Sequence, residues 1–395
     1  MKVDRINGFI LKILTVLFFC VTALSCGDNT SPHNEAIQID IDNIISNEPL
    51  VFSDVFSGFH IIRLETHEDC VINQINNIKI IRDTIYIFDK NAKSVFIFSN
   101  KGKSINKISR IGRGPGEFIQ PSDFDVKGNA VLIFDYSTKK LCAYDKKGNF
   151  IYDLNLKDRF SSFITTDDNV FAYKPFPAGD TGTKDDYLLN QYNNSGKIIW
   201  KAVKYSDFLH GIKVIQSLDG GNFFMTENDI KFYMNYCTTI FSINNQSVKP
   251  YIVLNSEKHK LTKEDMKNYK MDEPMTLFSA NPDKLSKISG YSENDSMAFL
   301  KFQIGISEYY TFIHFRTRKI LCCSRYNDDL TYIYPNLFQI NNNQLIAYVH
   351  PRRVSAFREL VATGKVKIDD NLKDELLEAS DFDNPVLILY DLREK

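Results

Sequence analysis

The chain has 395 residues, 43% of them hydrophobic and 25% charged, with a formal net charge of −1. That composition belongs to a globular protein with a sizeable core, and the even charge balance excludes the clustered basic excess that nucleic-acid binding requires. Aromatic residues are abundant, 30 Phe and 20 Tyr against a single Trp, and their occurrence in short apolar runs favours strands over helices.

In chain order, residues 1–25 read first, as an export signal. Lys2 and Arg5 precede an apolar run at 13–24, too short to span a bilayer and of the right length for a signal core. Leu24-Ser25-Cys26 resembles the lipoprotein box of bacterial envelope proteins. The resemblance implies that Cys26 becomes the lipidated first residue of the mature chain, held at the membrane by several acyl chains. Ordinary cleavage after Ser25, with Ala23 at the other small-residue position, is the alternative. Residues 26–36 are a polar tether, and 37–395 are a single domain. Cys70, Cys142, Cys237, Cys322 and Cys323 remain; they lack CxxC spacing, so no zinc site is predicted, and they sit in apolar runs as small hydrophobes.

A repeat follows. DTIYIFDKNAKSVFIFSNKGKSINKI at 83–108 aligns with GNAVLIFDYSTKKLCAYDKKGNFIYDL at 128–154, placing Asp89 over Asp135, 46 residues apart. Each copy has a strand, a polar turn opened by Asp, a second strand and a Lys-Gly hairpin. Weaker copies centre near 171, 224, 299 and 346, and most of the intervals suit a four-stranded propeller blade. The expected fold is all-β, a six-bladed propeller. Helical inserts are predicted in the later blades, at 261–278 (opened by a Thr262/Asp265 cap), 352–364 and 370–380. Blade six is one strand short, and HIIRLET (60–66) is expected to close it against PVLILYDL (385–392), ahead of the weaker candidate IQIDID (37–42).

Between the two clear repeats lies IGRGPGEF (111–118). Its glycines neither open a helix nor precede Lys-Ser/Thr, so both nucleotide-binding motifs fail. The loop is expected to hold turn dihedrals between blades one and two, with Gly114→Val unfavourable for that reason. Residues 111–150, with spaced glycines, Phe118, Pro121 and a turn opened by Asp135, resemble an NHL repeat. Together with the signal they resemble the bacterial six-bladed β-propeller lipoproteins, which implies that fold and an envelope location, and no catalytic residue.

Candidate binding residues are Arg113 and Glu117, flanking the glycines where exposed N–H groups could form an anion nest, and His350, Arg352 and Arg353, where blade six breaks toward its helices. Asp89 and Asp135 read as turn caps. Asp123-x-Asp125-x-Lys127 fails as a calcium loop, because position five is Lys and position twelve is Phe134. No metal site, cofactor motif or Ser/His/Asp arrangement is predicted. The favoured function is a membrane-anchored binding module for a glycan, peptide or partner protein of the envelope. The alternative is a metal-dependent hydrolase or lactonase with ligands converging on the channel from several blades.

Overall fold

A computed structural model describes residues 35–175, 186–204, 221–234, 237–262, 265, 282–364 and 380–393. The export signal, Cys26, most of the tether, nearly all of the insert at 261–278 and almost all of that at 370–380 lie outside the described residues.

Six sheets of four or five strands form the blades of a propeller. In inner-to-outer order, blade one comprises Asn77–Ile81, Thr84–Asp89, Ser94–Ser99 and Ser104–Ile108. Blade two comprises Pro121–Lys127, Ala130–Asp135, Lys140–Asp145 and Phe150–Asn155. Blade three follows with Ser162–Thr165, Asn169–Tyr173, Tyr187–Asn193 and Ile198–Lys204. Blade four has Phe223–Met225, Ile230–Tyr233, Thr239–Asn244 and Ser247–Asn255. Blade five has Leu285–Glu293, Met297–Ile304, Ser307–His314 and Ile320–Cys323. Blade six is built from both ends of the chain: Asn336–Asn341, Gln344–Val349, Val386–Leu392 and, outermost, Phe56–Arg63.

Position within a blade explains the sequence patterns. The second and third strands are covered on both faces by neighbouring blades, so TIYIFD is buried throughout and SVFIFS all but its last residue. Outer strands have one face in water, and SINKI alternates accordingly. In blade four the repeat centred near 224 aligns with the second strands of the other blades. That stretch is in fact the inner strand, and the second is the four-residue Ile230–Tyr233, whose pattern is interrupted by Lys231.

Closure occurs where expected. Arg63 opposes Val386, Ile62 opposes Leu387 and Ile61 opposes Ile388, antiparallel. Buried Asn384 fastens the junction: its Nδ2 donates to the Glu65 and Cys70 carbonyls at 2.8 Å, and its Oδ1 accepts from the Ile72 N–H at 2.7 Å. The segment before this strand is a belt that the sequence reading does not foresee. Ile37–Asp40 lies outside blade four; Ile45–Ser46 runs parallel to the outer strand of blade five; Leu50–Val51 pairs in parallel with Tyr326–Asn327. The belt then crosses to blade six through the short helix Phe52–Val55. IQIDID therefore extends blade four and does not close blade six.

Asp89 and Asp135 are fully buried. Each carboxylate binds the incoming inter-blade loop and its own turn: Asp89 accepts from Asn73, Gln74 and Ala92 N–H groups, Asp135 from those of Gln120 and Thr138. The five cysteines are free and buried, and burial pushes the Cys237 and Cys322 thiols up to about 12. Of the helical inserts, Pro351–Ala362 is present, with Pro at its first turn where the missing N–H costs nothing. The Thr262/Asp265 cap forms reciprocally, Asp265 Oδ2 accepting from Thr262 N and Oγ1 at 2.7 Å, and Thr262 Oγ1 accepting from Asp265 N at 3.2 Å.

Candidate functional site

The loop IGRGPGEF runs from the outer strand of blade one to the inner strand of blade two. Its nest of N–H groups is occupied by its own side chain: Glu117 Oε2 accepts from Gly114 N at 2.8 Å, and the carboxylate lies where a Cβ on Gly112 would be, 2.0 Å from Oε2. Arg113 is exposed, its carbonyl and that of Gly114 accepting from Lys140 Nζ at 3.5 and 2.7 Å. The conformational demand falls on Gly116, not Gly114. Gly116 has φ of +64°, and a Cβ there would meet the Phe150 ring at 2.4 Å, whereas Gly114 lies outside the left-handed region. Gly116→Ala is therefore expected to cost more than about 1 kcal/mol and Gly114→Ala distinctly less, read from urea unfolding. Equal costs would contradict this assignment.

His350 caps the helix Pro351–Ala362 with its carbonyl, which accepts from Arg353 N at 2.9 Å, and its ring meets Tyr348 edge-on at 5.7 Å. Burial, then the Arg353 charge, hold the imidazole below its ordinary value, so it is neutral at neutral pH. Arg352 is exposed, and Arg353 Nη1 donates to the Tyr334 carbonyl at 2.6 Å. Among the described residues, no hydrogen bond or ion pair joins this group to Arg113 or Glu117. Strand alternation places both loops at one end of the ring, with blade one between them.

Around the channel, the failed calcium motif has a different role. Asp123 and Asp125 share one face of the inner strand of blade two and link three successive blades. Asp123 accepts from Asn77 Nδ2 (3.2 Å) and Phe163 N (3.2 Å); Asp125 accepts from Lys79 Nζ (2.5 Å), Thr165 N (2.7 Å) and Thr165 Oγ1 (2.6 Å). Burial pushes the Asp123 carboxyl up to about 6, against the pull of Lys79 and its hydrogen bonds. Because the folded value lies above the unfolded one of about 3.9, this group's contribution is full below about pH 4 and lost as pH rises through 6. Asp123→Asn should remove that slope, shifting the stability difference in the variant's favour by up to roughly 3 kcal/mol between about pH 4 and 7. Parallel pH profiles for the two proteins would contradict the assignment. Among the described residues, no three His, Cys, Asp or Glu side chains converge as a metal-ligand set.

At the opposite end of the ring, a cleft of about 580 Å³ opens between blades three and four. Its walls come from the first turns of the two blades, around 166–169 and 226–229, and from the hairpin at 244–246. The polar lining is mostly amide: Asn169, Gln191, Asn228, Asn244, Asn245 and Gln246. The floor is apolar, formed by Phe171, Ile230 and Ile243, with Met225 at the edge. Gln191 stands in the third strand of blade three, opposite Phe171 on one side and Trp200 on the other. It is 5% exposed, and its Oε1 has no hydrogen-bond partner. A buried acceptor left unmet costs about 1–3 kcal/mol; Ser161 Oγ, Asn190 Oδ1 and both ring nitrogens of His314 are unmet as well, but among these residues Gln191 is the one that lines the cleft. Asp229 is already engaged: although burial pushes its carboxyl up, hydrogen bonds from Lys231, Ser242 and Thr226 hold it below the ordinary value. The sequence reading misses this cleft entirely. The available signal is an amide pair, Asn190-Gln191, between the apolar Leu188-Leu189 and Tyr192 in the buried middle of a strand.

Comparison with solved structures supports the architecture. A presumed exported protein from Bacteroides fragilis NCTC 9343 superposes with a TM-score of 0.74 at 16% identity, covering 91% of this chain and 100% of that one. A member of the DUF4221 family from Bacteroides vulgatus ATCC 8482 gives 0.46 at 9% identity, covering 89% and 95%. The first likeness concerns fold alone at that identity, and no curated protein matches the sequence. Among the described residues, no helix is long and apolar enough to cross a membrane. Residues 36–391 match the family model of a domain of unknown function, DUF4934, and the chain belongs to that family.

Proposed function

We propose that the protein is a lipid-anchored propeller of the bacterial envelope that binds a ligand in the cleft between blades three and four. The observation that carries this reading is Gln191 Oε1, a buried acceptor without a partner at the back of an open, amide-lined cleft. Sites for small ligands combine an apolar floor with a few placed polar groups, and that is the composition here. The hydrolase alternative needs several metal ligands from different blades, and among the described residues no such group supports it. The anchor rests on the Leu24-Ser25-Cys26 sequence and the polar stretch after it.

A thermal-shift panel spanning neutral sugars, blocked peptides and amines tests the reading, run on the parent and on Gln191→Leu. At least one class is expected to raise the Tm of the parent and leave the variant unmoved. No Gln191-dependent shift from any class would refute the binding site, and breakdown of the bound compound would favour the hydrolase instead. In cells, Cys26→Ser is expected to move the protein from the membrane to the soluble envelope fraction, and unchanged fractionation would refute lipidation.

A further inference from the structure

Resting on the binding-module reading above, we propose that the cleft between blades three and four is a subsite for a neutral saccharide. Charge narrows the choice first. The described lining contains no Lys, Arg or His, so a phosphate or carboxylate would find no counter-charge, while Glu227 and Asp229 would repel it. A cationic ligand would meet a single carboxylate, Glu227 on an exposed turn, because Asp229 is already held by Lys231 Nζ at 2.7 Å.

Backbone pairing narrows it further. A peptide bound by strand addition needs a free sheet edge, but Asn169–Tyr173 is flanked by Ser162–Thr165 and Tyr187–Asn193, and Ile230–Tyr233 by Phe223–Met225 and Thr239–Asn244. Recognition must therefore come from side chains. Each amide presents a carbonyl acceptor beside an NH₂ donor, and a sugar hydroxyl both donates and accepts, so amides and hydroxyls satisfy each other without charge. A hydroxyl reaching Gln191 Oε1 would supply the donor that the fold omits. Met225, 39% exposed at the edge, offers a soft apolar surface to the C–H face of a ring. The volume of about 580 Å³ lies within the ~300–1,000 Å³ of small-ligand sites.

The chain's single tryptophan provides the probe, since Trp200 lies directly across the strand pair from Gln191. The mature full-length chain is titrated with maltotriose, cellotriose, mannotriose and chitotriose, with trigalacturonic acid and a blocked tripeptide as contrasts. At least one neutral trisaccharide is expected to change Trp200 emission saturably, with Kd below about 1 mM. Affinity should weaken by at least about tenfold, a loss of the order of one hydrogen-bonding group, in Gln191→Leu and in Asn228→Ala. Gln191→Leu should keep or raise the Tm, because it replaces an unmet polar group by an apolar one of similar size; Asn228, on an exposed turn, keeps the test sound if the first variant fails to fold. Silence with all four neutral sugars overturns the proposal. A Gln191-dependent response confined to trigalacturonate or the peptide overturns the saccharide assignment and leaves the binding-module reading standing. Binding that both variants leave unchanged overturns both.

Discussion

Removing residues 38–66 is expected to yield a chain that aggregates on refolding, whereas removing 27–34 leaves Tm unchanged. The longer deletion takes away the outermost strand of blade six and the belt across blades four and five. Ile39, Ile41, Leu50, Phe52, Val55 and Phe56 go with it, none more than 7% exposed. Burial of each is worth about 1.5–3 kcal/mol, so together they rival the ~5–15 kcal/mol by which a domain is stable. Phe56 packs against Phe52, Phe312 and Tyr390 with ring centroids 5.0–5.8 Å apart, so its loss also loosens the interface between blades five and six. Three sheet edges would be bared as well, at blades four, five and six, and such edges template association. A monodisperse, cooperatively melting product would show that the ring does not need its closing strand.

The second large effect is expected at Lys231. This lysine, 5% exposed, lies between Asp229 (2.7 Å) and Glu293 (3.5 Å), with its ammonium 3.5 Å from the centroid of the Tyr251 ring. Glu293 in turn accepts from the hydroxyls of Tyr251 at 2.8 Å and Tyr291 at 2.6 Å; burial, then the Glu293 charge, push both phenols above their ordinary value. The network fastens blade four to the inner strand of blade five. Lys231→Met strands two largely buried carboxylates and should cost about 3–5 kcal/mol in urea unfolding. The triple variant Lys231→Met, Asp229→Asn, Glu293→Gln should recover a good part of that, because the penalty arises from unpaired charge and not from lost packing. A single-variant cost below about 1 kcal/mol, the level of a surface pair, would refute the account.

How far these features could be read in the sequence depends on how local their causes are. TIYIFD and VLIFD announce themselves because sandwiching between blades demands unbroken apolar runs, and the Asp89/Asp135 repeat gave the spacing directly. The closing strand was legible from a deficit, a blade one strand short beside an unpartnered apolar segment. By contrast, the partners of Asp123 and Asp125 lie 46 residues earlier and 40 later. Their local motif reads only as a calcium loop gone wrong. Glu117 folding back on Gly114 turned an apparent anion nest into a self-filled one, which no residue pattern distinguishes from a vacant nest. The cleft was illegible for a similar reason: Gln191 and Asn228 line one cleft only because blades three and four are neighbours.

The belt has a consequence for the order of events as the chain is made. Gln38 hydrogen-bonds Asn255, 217 residues later, and the Phe56 carbonyl accepts from Arg393, 337 residues later. The first segment of the domain to leave the ribosome is thus among the last to find its partners, while blades one to three are built from contiguous sequence and can form meanwhile. Loop closure over such separations is slow, and until it happens Phe52 and Phe56 have no cover. The nascent protein is therefore an open arc with a sticky leading end, and its window of vulnerability to misassembly closes only when the final strand, Val386–Leu392, has been delivered.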